Sequence, residues 1–205
     1  MRRNVLTIIS LLLLPVLFGG FTRAGQSISA ADKEKALRYL NDTRARLVEA
    51  VKGLTADQLT YKQSPYRWSI AEILEHITVS EQLIQANYLA RLASAPSAPQ
   101  ERDSTQVDSM VVSRVPDRSS KFPAPEPLQP TGRWAPAEVL QKFLDVRAKT
   151  IAFLESSADL RGHLISHPVL GPMDGYQWVL TIAAHTERHT KQIAEVKADP
   201  HFPVE

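Results

Sequence analysis

The chain has 205 residues, of which 43% are hydrophobic and 22% charged, a usage that supports a packed core and excludes wholesale disorder. Lysine and arginine number 24 against 22 acidic residues, but Arg2, Arg3 and Arg23 belong to the N-terminal segment; without them the balance turns slightly acidic, and no basic footprint for nucleic acid remains. The absence of cysteine removes disulfides, Cys-ligated zinc, iron–sulfur clusters and thiol nucleophiles together.

The first segment has the layout of a secretory signal. Arg2 and Arg3 supply a positive start, Val5 to Phe18 is apolar apart from Thr7, Ser10 and Pro15, and Thr22-Arg23-Ala24 offers a cleavage site with Ala30 as a second option. The expectation is a signal over residues 1–24, or to 30, with an uncleaved anchor as the alternative. The apolar stretch is short against the ~20 residues that span a bilayer. The folded part is then exported, periplasmic or extracellular, without stable membrane insertion once the signal is removed. No cysteine follows the apolar run, so a lipoprotein is excluded.

Helical periodicity begins near Ala31 and runs to about Leu54, with Ala36, Leu40, Thr43, Leu47, Ala50 and Leu54 at alternating steps of four and three. Gly53 and Thr55 mark its end. A second helix opens at Ser69, whose hydroxyl and the Glu72 carboxylate form an S-x-x-E capping box, with Trp68 before it as a staple. That helix is expected to reach about Ala93 and to bury Ile70, Ile73, Leu74, Ile77, Leu83, Ile84 and Tyr88.

From Ser94 to Trp134 the chain changes character. Seven of its 14 prolines lie here (Pro96, Pro99, Pro116, Pro123, Pro125, Pro127 and Pro130), which excludes a long helix. In a bundle, such a length is what a crossover between the ends of parallel helices needs, and a short helix over Gln106 to Val115 fits inside it. A third helix starts at Pro136 and ends near Ser157, with Val139, Phe143, Val146, Thr150 and Phe153 as its seam. The loop after it holds His163, His167-Pro168 and Gly171-Pro172. Asp174, with Gln177 three residues on, caps a fourth helix that runs to about Lys197. No strand-turn pattern, P-loop, GxGxxG or GxSxG appears. The fold class is all-α, a four-helix bundle over residues 31–197 with a long proline-rich crossover between the second and third helices and a short tail over 198–205.

Three of the six histidines occupy informative places. His185 and His189, spaced i, i+4, stand about 6 Å apart along one helix face, so both imidazoles can reach one ion. They share the series Trp178, Ile182, His185, His189, Gln192, Val196, which is the seam that faces the bundle core. Structural histidines, hydrogen-bonded in a core or cleft, are the alternative for this spacing alone. His76 lies mid-helix beside the apolar face of Ile73 and Ile77, and supplies a third nitrogen if the second and fourth helices are neighbours there. Three neutral imidazoles with an open position form a ligand set typical of catalytic rather than structural zinc. Glu72, one turn before His76, is the candidate catalytic residue, as a base or by orienting that imidazole, although its capping box already accounts for it. Glu187 falls on the opposite side of the helix and reads as a surface ion-pair partner. Arg188 and Gln192 read as packing or interhelical hydrogen-bonding residues. His163 and His167 also have i, i+4 spacing, but Gly162 and Pro168 argue against a helix there.

The segments Trp68-Ser69-Ile70-Ala71-Glu72-Ile73-Leu74-Glu75-His76, Phe122-Pro123-Ala124-Pro125 through Trp134, His167-Pro168-Val169-Leu170-Gly171-Pro172-Met173-Asp174, Gln177-Trp178 and His185-Thr186-Glu187-Arg188-His189-Thr190-Lys191-Gln192-Ile193, in this order, resemble the DinB-like superfamily. The resemblance covers roughly residues 31–197 and all three histidines; Arg188 and Gln192 also follow its pattern, which implies a role for them in bracing the site. It implies a four-helix bundle holding a divalent metal, zinc, nickel or iron, through one histidine of the second helix and the HxxxH pair of the last. It also implies enzymes among the relatives, including transferases and isomerases that use small thiols in the cytoplasm; an export signal weighs against a thiol cosubstrate here. The resulting expectation is an exported metal-dependent hydrolase acting on a small molecule of unknown structure. A thiol-dependent transferase or isomerase, a non-catalytic metal-binding bundle and a helical interaction module are the alternatives. Homodimers are common among such relatives, so a homodimer is an expectation as well.

Overall fold

The computed structural model describes residues 27–99 and 101–204; residues 1–24, read as an export signal, lie outside them. In chain order the helices are α1 (Ala30–Val51), α2 (Ala56–Thr60), α3 (Ile70–Asn87), α4 (Ser104–Arg114), α5 (Pro136–Ser156) and α6 (Gly175–Lys197). Two 3₁₀ turns occupy Leu89–Ser94 and Glu126–Leu128. Strands β1 (Ile165–His167) and β2 (Gly171–Met173) pair antiparallel, with Ile165 opposite Met173.

The long helices start where capping chemistry places them. Ser69 accepts from the Glu72 amide at 3.2 Å while the Glu72 carboxylate accepts from the Ser69 amide at 2.8 Å. Asp174 and Gln177 make the same reciprocal pair at 2.9 and 3.0 Å. Each box satisfies N–H groups that a helix start leaves without partners. Pro136 opens α5, where a missing N–H costs nothing.

Two apolar clusters fix the helix directions. One gathers Ala36 and Leu40 of α1, Ile84 of α3, Leu154 of α5 and the first half of α6 from Tyr176 to Ala184. The other gathers Leu47 and Val51, Ile70 to Ile77, Val139 and Phe143, and Ile193 and Val196. Helices α1 and α6 therefore run one way and α3 and α5 the other. The bundle is up-down-down-up, and parallel α3 and α5 are joined by the long segment 88–135, as a crossover must join them.

A polar layer separates the clusters. Arg147 is wholly buried and bonds Glu81 through Nε at 3.0 Å and Nη2 at 2.9 Å. Its remaining N–H groups reach the Leu40 carbonyl at 2.8 Å, the Thr43 hydroxyl at 3.1 Å and the Thr186 hydroxyl at 2.7 Å. One guanidinium thus ties α1, α3, α5 and α6 together with all five donors engaged.

The expected seams need small corrections. On α1 the buried series ends on Val51 rather than Ala50 and Leu54, because 3.6 residues per turn drifts off strict alternation and the helix stops there. On α5 Leu154 is buried where Phe153 was expected, and Arg147 faces the core. Helix α3 stops at Asn87, short of Ala93; the chain tightens to a 3₁₀ turn whose eclipsed i, i+3 positions bury Leu89 and Leu92 together. The β1–β2 ribbon, where no strand was expected, reverses through residues 168–170 into Gly171, the first residue of β2, which takes φ 77°, and the His167 Nδ1 accepts from the Val169 and Leu170 amides at 3.1 Å each. Its three-residue strands are too short to show a period of two in the sequence. Helix α2 was also not foreseen; it is a five-residue turn with its own Thr55–Gln58 capping box.

Candidate metal centre

His76 projects from the middle of α3, and His185 and His189 from α6, one of the two long helices against which α3 packs. Their Nε2 atoms converge: His76 and His185 are 3.2 Å apart and His185 and His189 3.1 Å apart. Ligand atoms from all three lie within 4.8 Å of one another. His76 and His189 are buried and His185 is half-buried.

The outer nitrogens define what the inner ones can do. The Nδ1 of His76 lies 2.8 Å from the Leu128 carbonyl, which can only accept, so that nitrogen carries the proton and Nε2 keeps its lone pair. The Nδ1 of His189 lies 2.7 Å from Oε1 of Gln192, which also accepts from Nη1 of Arg118 at 3.3 Å. A guanidinium donates only, so it identifies that Gln192 atom as oxygen and assigns the His189 proton to Nδ1. Two lone pairs therefore face the third imidazole. His185 has one Nε2 and can donate to only one of them, leaving a surplus of acceptors at the point of convergence. That is the electronic arrangement a cation satisfies, and ligand histidines that donate their other N–H to a carbonyl are the usual second layer around a metal.

Burial holds the His76 imidazole below its ordinary pKa of 6.5, with the Leu128 bond partly opposing the shift. Packing around His185 pushes it well below 6.5 although the residue is only half-buried, and His189 and His76 add repulsion. Burial, then His76, does the same for His189. All three rings are thus kept neutral, the form that binds a metal.

The crossover closes this corner. Glu75, 3% exposed, accepts from the Thr131 amide at 2.8 Å, the Gly132 amide at 2.9 Å and Arg133 Nε at 3.0 Å. Burial would raise its pKa, but these donors outweigh burial and hold it below the ordinary carboxylate value. Gly132 takes φ 69°, a left-handed turn that favours glycine. On the other side Arg188 grips the carbonyls of Val115, Asp117 and Ser120. The ring of Trp68 lies 4.8 Å from that of His76.

Glu72 is engaged at both oxygens, by the Ser69 amide and by Lys62 Nζ at 2.6 Å, and no hydrogen bond joins it to an imidazole among the described residues. Glu187 sits off the cluster, bonded to Tyr39 and Lys191 at 2.8 Å each, as its helix position predicts. His163 bonds the Ala95 carbonyl at 2.7 Å, and neither it nor His167 joins the cluster. Glu75, Arg118 and Leu128 were not among the expected site residues. A carboxylate adjoining His76 was a signal for the first; nothing local marks the other two. An apolar concavity of about 280 Å³, lined by Val51, Leu54, Leu59, Leu74 and Leu140 among others, includes none of the three histidines.

A family model for the DinB superfamily matches residues 39–193. The chain belongs to the DinB superfamily. It is 28% identical to the uncharacterized protein YuaE of Bacillus subtilis (strain 168) over 163 residues, spanning 78% of this chain and 96% of YuaE. Among solved structures it is similar to YfiT from Bacillus subtilis, described as a probable metal-dependent hydrolase with an unusual four-helix bundle topology. That likeness has a TM-score of 0.51 at 16% identity and covers 85% of this chain and 91% of YfiT, so it concerns the fold. The up-down-down-up course with one long crossover accords with it.

Proposed function

We propose that this member of the DinB superfamily is an exported, divalent-metal-dependent hydrolase of a small-molecule substrate, with His76, His185 and His189 as metal ligands. The observation that carries the reading is the surplus of lone pairs: Leu128 and Gln192 direct two Nε2 acceptors at a third imidazole nitrogen little more than 3 Å away. A cation held by three neutral nitrogens keeps its full charge and supplies Lewis acidity toward water and toward a carbonyl or phosphoryl oxygen. The chain's own residues hold the three rings neutral by burial and orient two of them through Nδ1. An all-imidazole set suits zinc, nickel and iron alike. The hydrolase assignment draws support from the description of YfiT, and export from the N-terminal sequence.

A non-catalytic metal-binding bundle is the second reading, favoured by the engagement of both Glu72 oxygens. The test is elemental analysis of the purified protein and of His76→Ala, His185→Ala and His189→Ala. About one ion per chain is expected in the wild type, and loss of it in each variant with helicity retained. A wild type that takes up no divalent ion, or variants that hold it unchanged, ends the proposal. Turnover of ester, amide or phosphoester panels by the metal-loaded wild type separates the hydrolase from the non-catalytic bundle.

A further inference from the structure

The side-chain amide of Gln192 can sit in two orientations related by a half-turn, one offering oxygen to His189 and the other offering NH₂. In the second orientation Nδ1 of His189 must accept, the ring proton moves to Nε2, and the lone pair facing His185 and His76 is lost. The amide alone has no reason to choose. What distinguishes the orientations is Arg118, which arrives from the crossover and donates Nη1 to Gln192 Oε1 at 3.3 Å. Arg118 is itself gripped bidentately by Glu195, at 2.5 Å from Nε and 2.7 Å from Nη2. Glu195 lies three residues after Gln192 and hence on the same face of α6. The guanidinium is largely covered, with 14% of its side chain exposed.

We propose that Arg118 is a positioning residue for the histidine centre: by holding the Gln192 amide oxygen toward His189, it sets the tautomer that leaves the His189 Nε2 lone pair free. The consequence for metal affinity rests on the metal-centre reading; the tautomer does not. With Leu128 acting on His76, both buried rings then receive their orientation from the crossover, one directly and one through a relay.

The test uses the full folded protein, metal-free, with ¹⁵N-labelled imidazoles, read by long-range ¹H–¹⁵N spectra at about pH 8, where the rings are neutral. The wild type is expected to show His189 protonated at Nδ1. Arg118→Met is expected to shift it toward the Nε2-protonated form and to weaken zinc binding, measured by chelator competition, by about 10–100-fold. Gln192→Glu presents a carboxylate that only accepts, so in that background Arg118→Met should leave the tautomer unchanged and alter zinc affinity by less than about twofold. Glu195→Gln breaks the ion pair but keeps Arg118, and should retain the wild-type tautomer. Arg118→Lys, which keeps the charge for Glu195 but lacks the fork to reach Gln192 as well, serves if Arg118→Met does not fold, and should shift the tautomer too. An unchanged tautomer in Arg118→Met or Arg118→Lys overturns the proposal, and so does an equal loss of zinc affinity with Glu at position 192. Because the tautomer is read without metal, failure of the wild type to bind zinc would remove the centre while leaving this readout intact.

Discussion

Among the described residues, replacing Arg147 by methionine removes the one cation bonded to Glu81, 2% exposed, and leaves it the Thr150 hydroxyl at 2.5 Å as its remaining partner. A buried carboxylate stripped of its guanidinium in this way costs about 3–5 kcal/mol. For a protein of this size that corresponds to a fall in Tm of about 6–20 °C. The other groups that Arg147 serves do not add much. The Thr43 hydroxyl keeps its bond to the Tyr39 carbonyl at 2.8 Å, and Thr186 keeps the Ile182 carbonyl at 3.0 Å. The charge left behind is therefore the dominant effect, and removing it should restore most of the loss. Glu81→Leu combined with Arg147→Met is expected within about 1 kcal/mol of the wild type, since an apolar replacement of a buried pair is often neutral. Urea unfolding followed by circular dichroism of the two single variants and the double variant measures the coupling. A cost below about 1 kcal/mol for Arg147→Met, or a double variant no better than that single one, would refute the reasoning.

Ser80 has the only buried side-chain polar atom without a partner among the described residues, so Ser80→Ala should stabilise by about 1 kcal/mol, read as a rise in Tm; a fall contradicts it. Burial depresses the pKa values of His76, His185 and His189, so in metal-free protein the unfolded chain binds more protons below 6.5. The stability is fully present above that pH and is lost as pH falls, by up to about 1.4 kcal/mol per pH unit for each imidazole. Urea midpoints that stay flat from about pH 7 to pH 5 would exclude this, and His185→Ala should reduce the slope by one proton. Glu75→Ala removes the acceptor shared by Thr131, Gly132 and Arg133, and trypsin should cut after Arg133 about tenfold faster than in the wild type while the bundle stays folded. An unchanged cleavage rate would show that the crossover is held by other contacts.

Much of the bundle was readable because helix formation leaves local marks. Ser69 with Glu72 and Asp174 with Gln177 announce two helix starts within a single turn of chain, and both boxes are formed. The prolines between Ser94 and Trp134 excluded a long helix, and α4 occupies the gap they leave. The HxxxH pair was visible for the same reason, since its geometry needs nothing but one helix. The β1–β2 ribbon escaped because three residues per strand carry no periodic signal, and the short α2 because one helical turn carries little more. Glu75, Glu81 and Arg147 escaped because a charged residue inside a helix normally marks the solvent side, and only a partner on another element reverses that.

Local sequence therefore determined where the four long helices begin, which faces are apolar, and that two imidazoles share one side of α6, because these follow from interactions reaching no more than four residues along the chain. The tertiary structure alone decided that His76 meets that pair across 109 residues of chain. It alone decided that a loop carbonyl and the relay from Arg118 through Gln192 give the rings their protonation pattern. The reason is that His76 finds its acceptor on a loop, while Gln192, one helical turn from His189, is itself oriented from the crossover; the place where the crossover lies against α3 and α6 is set by packing of the whole bundle.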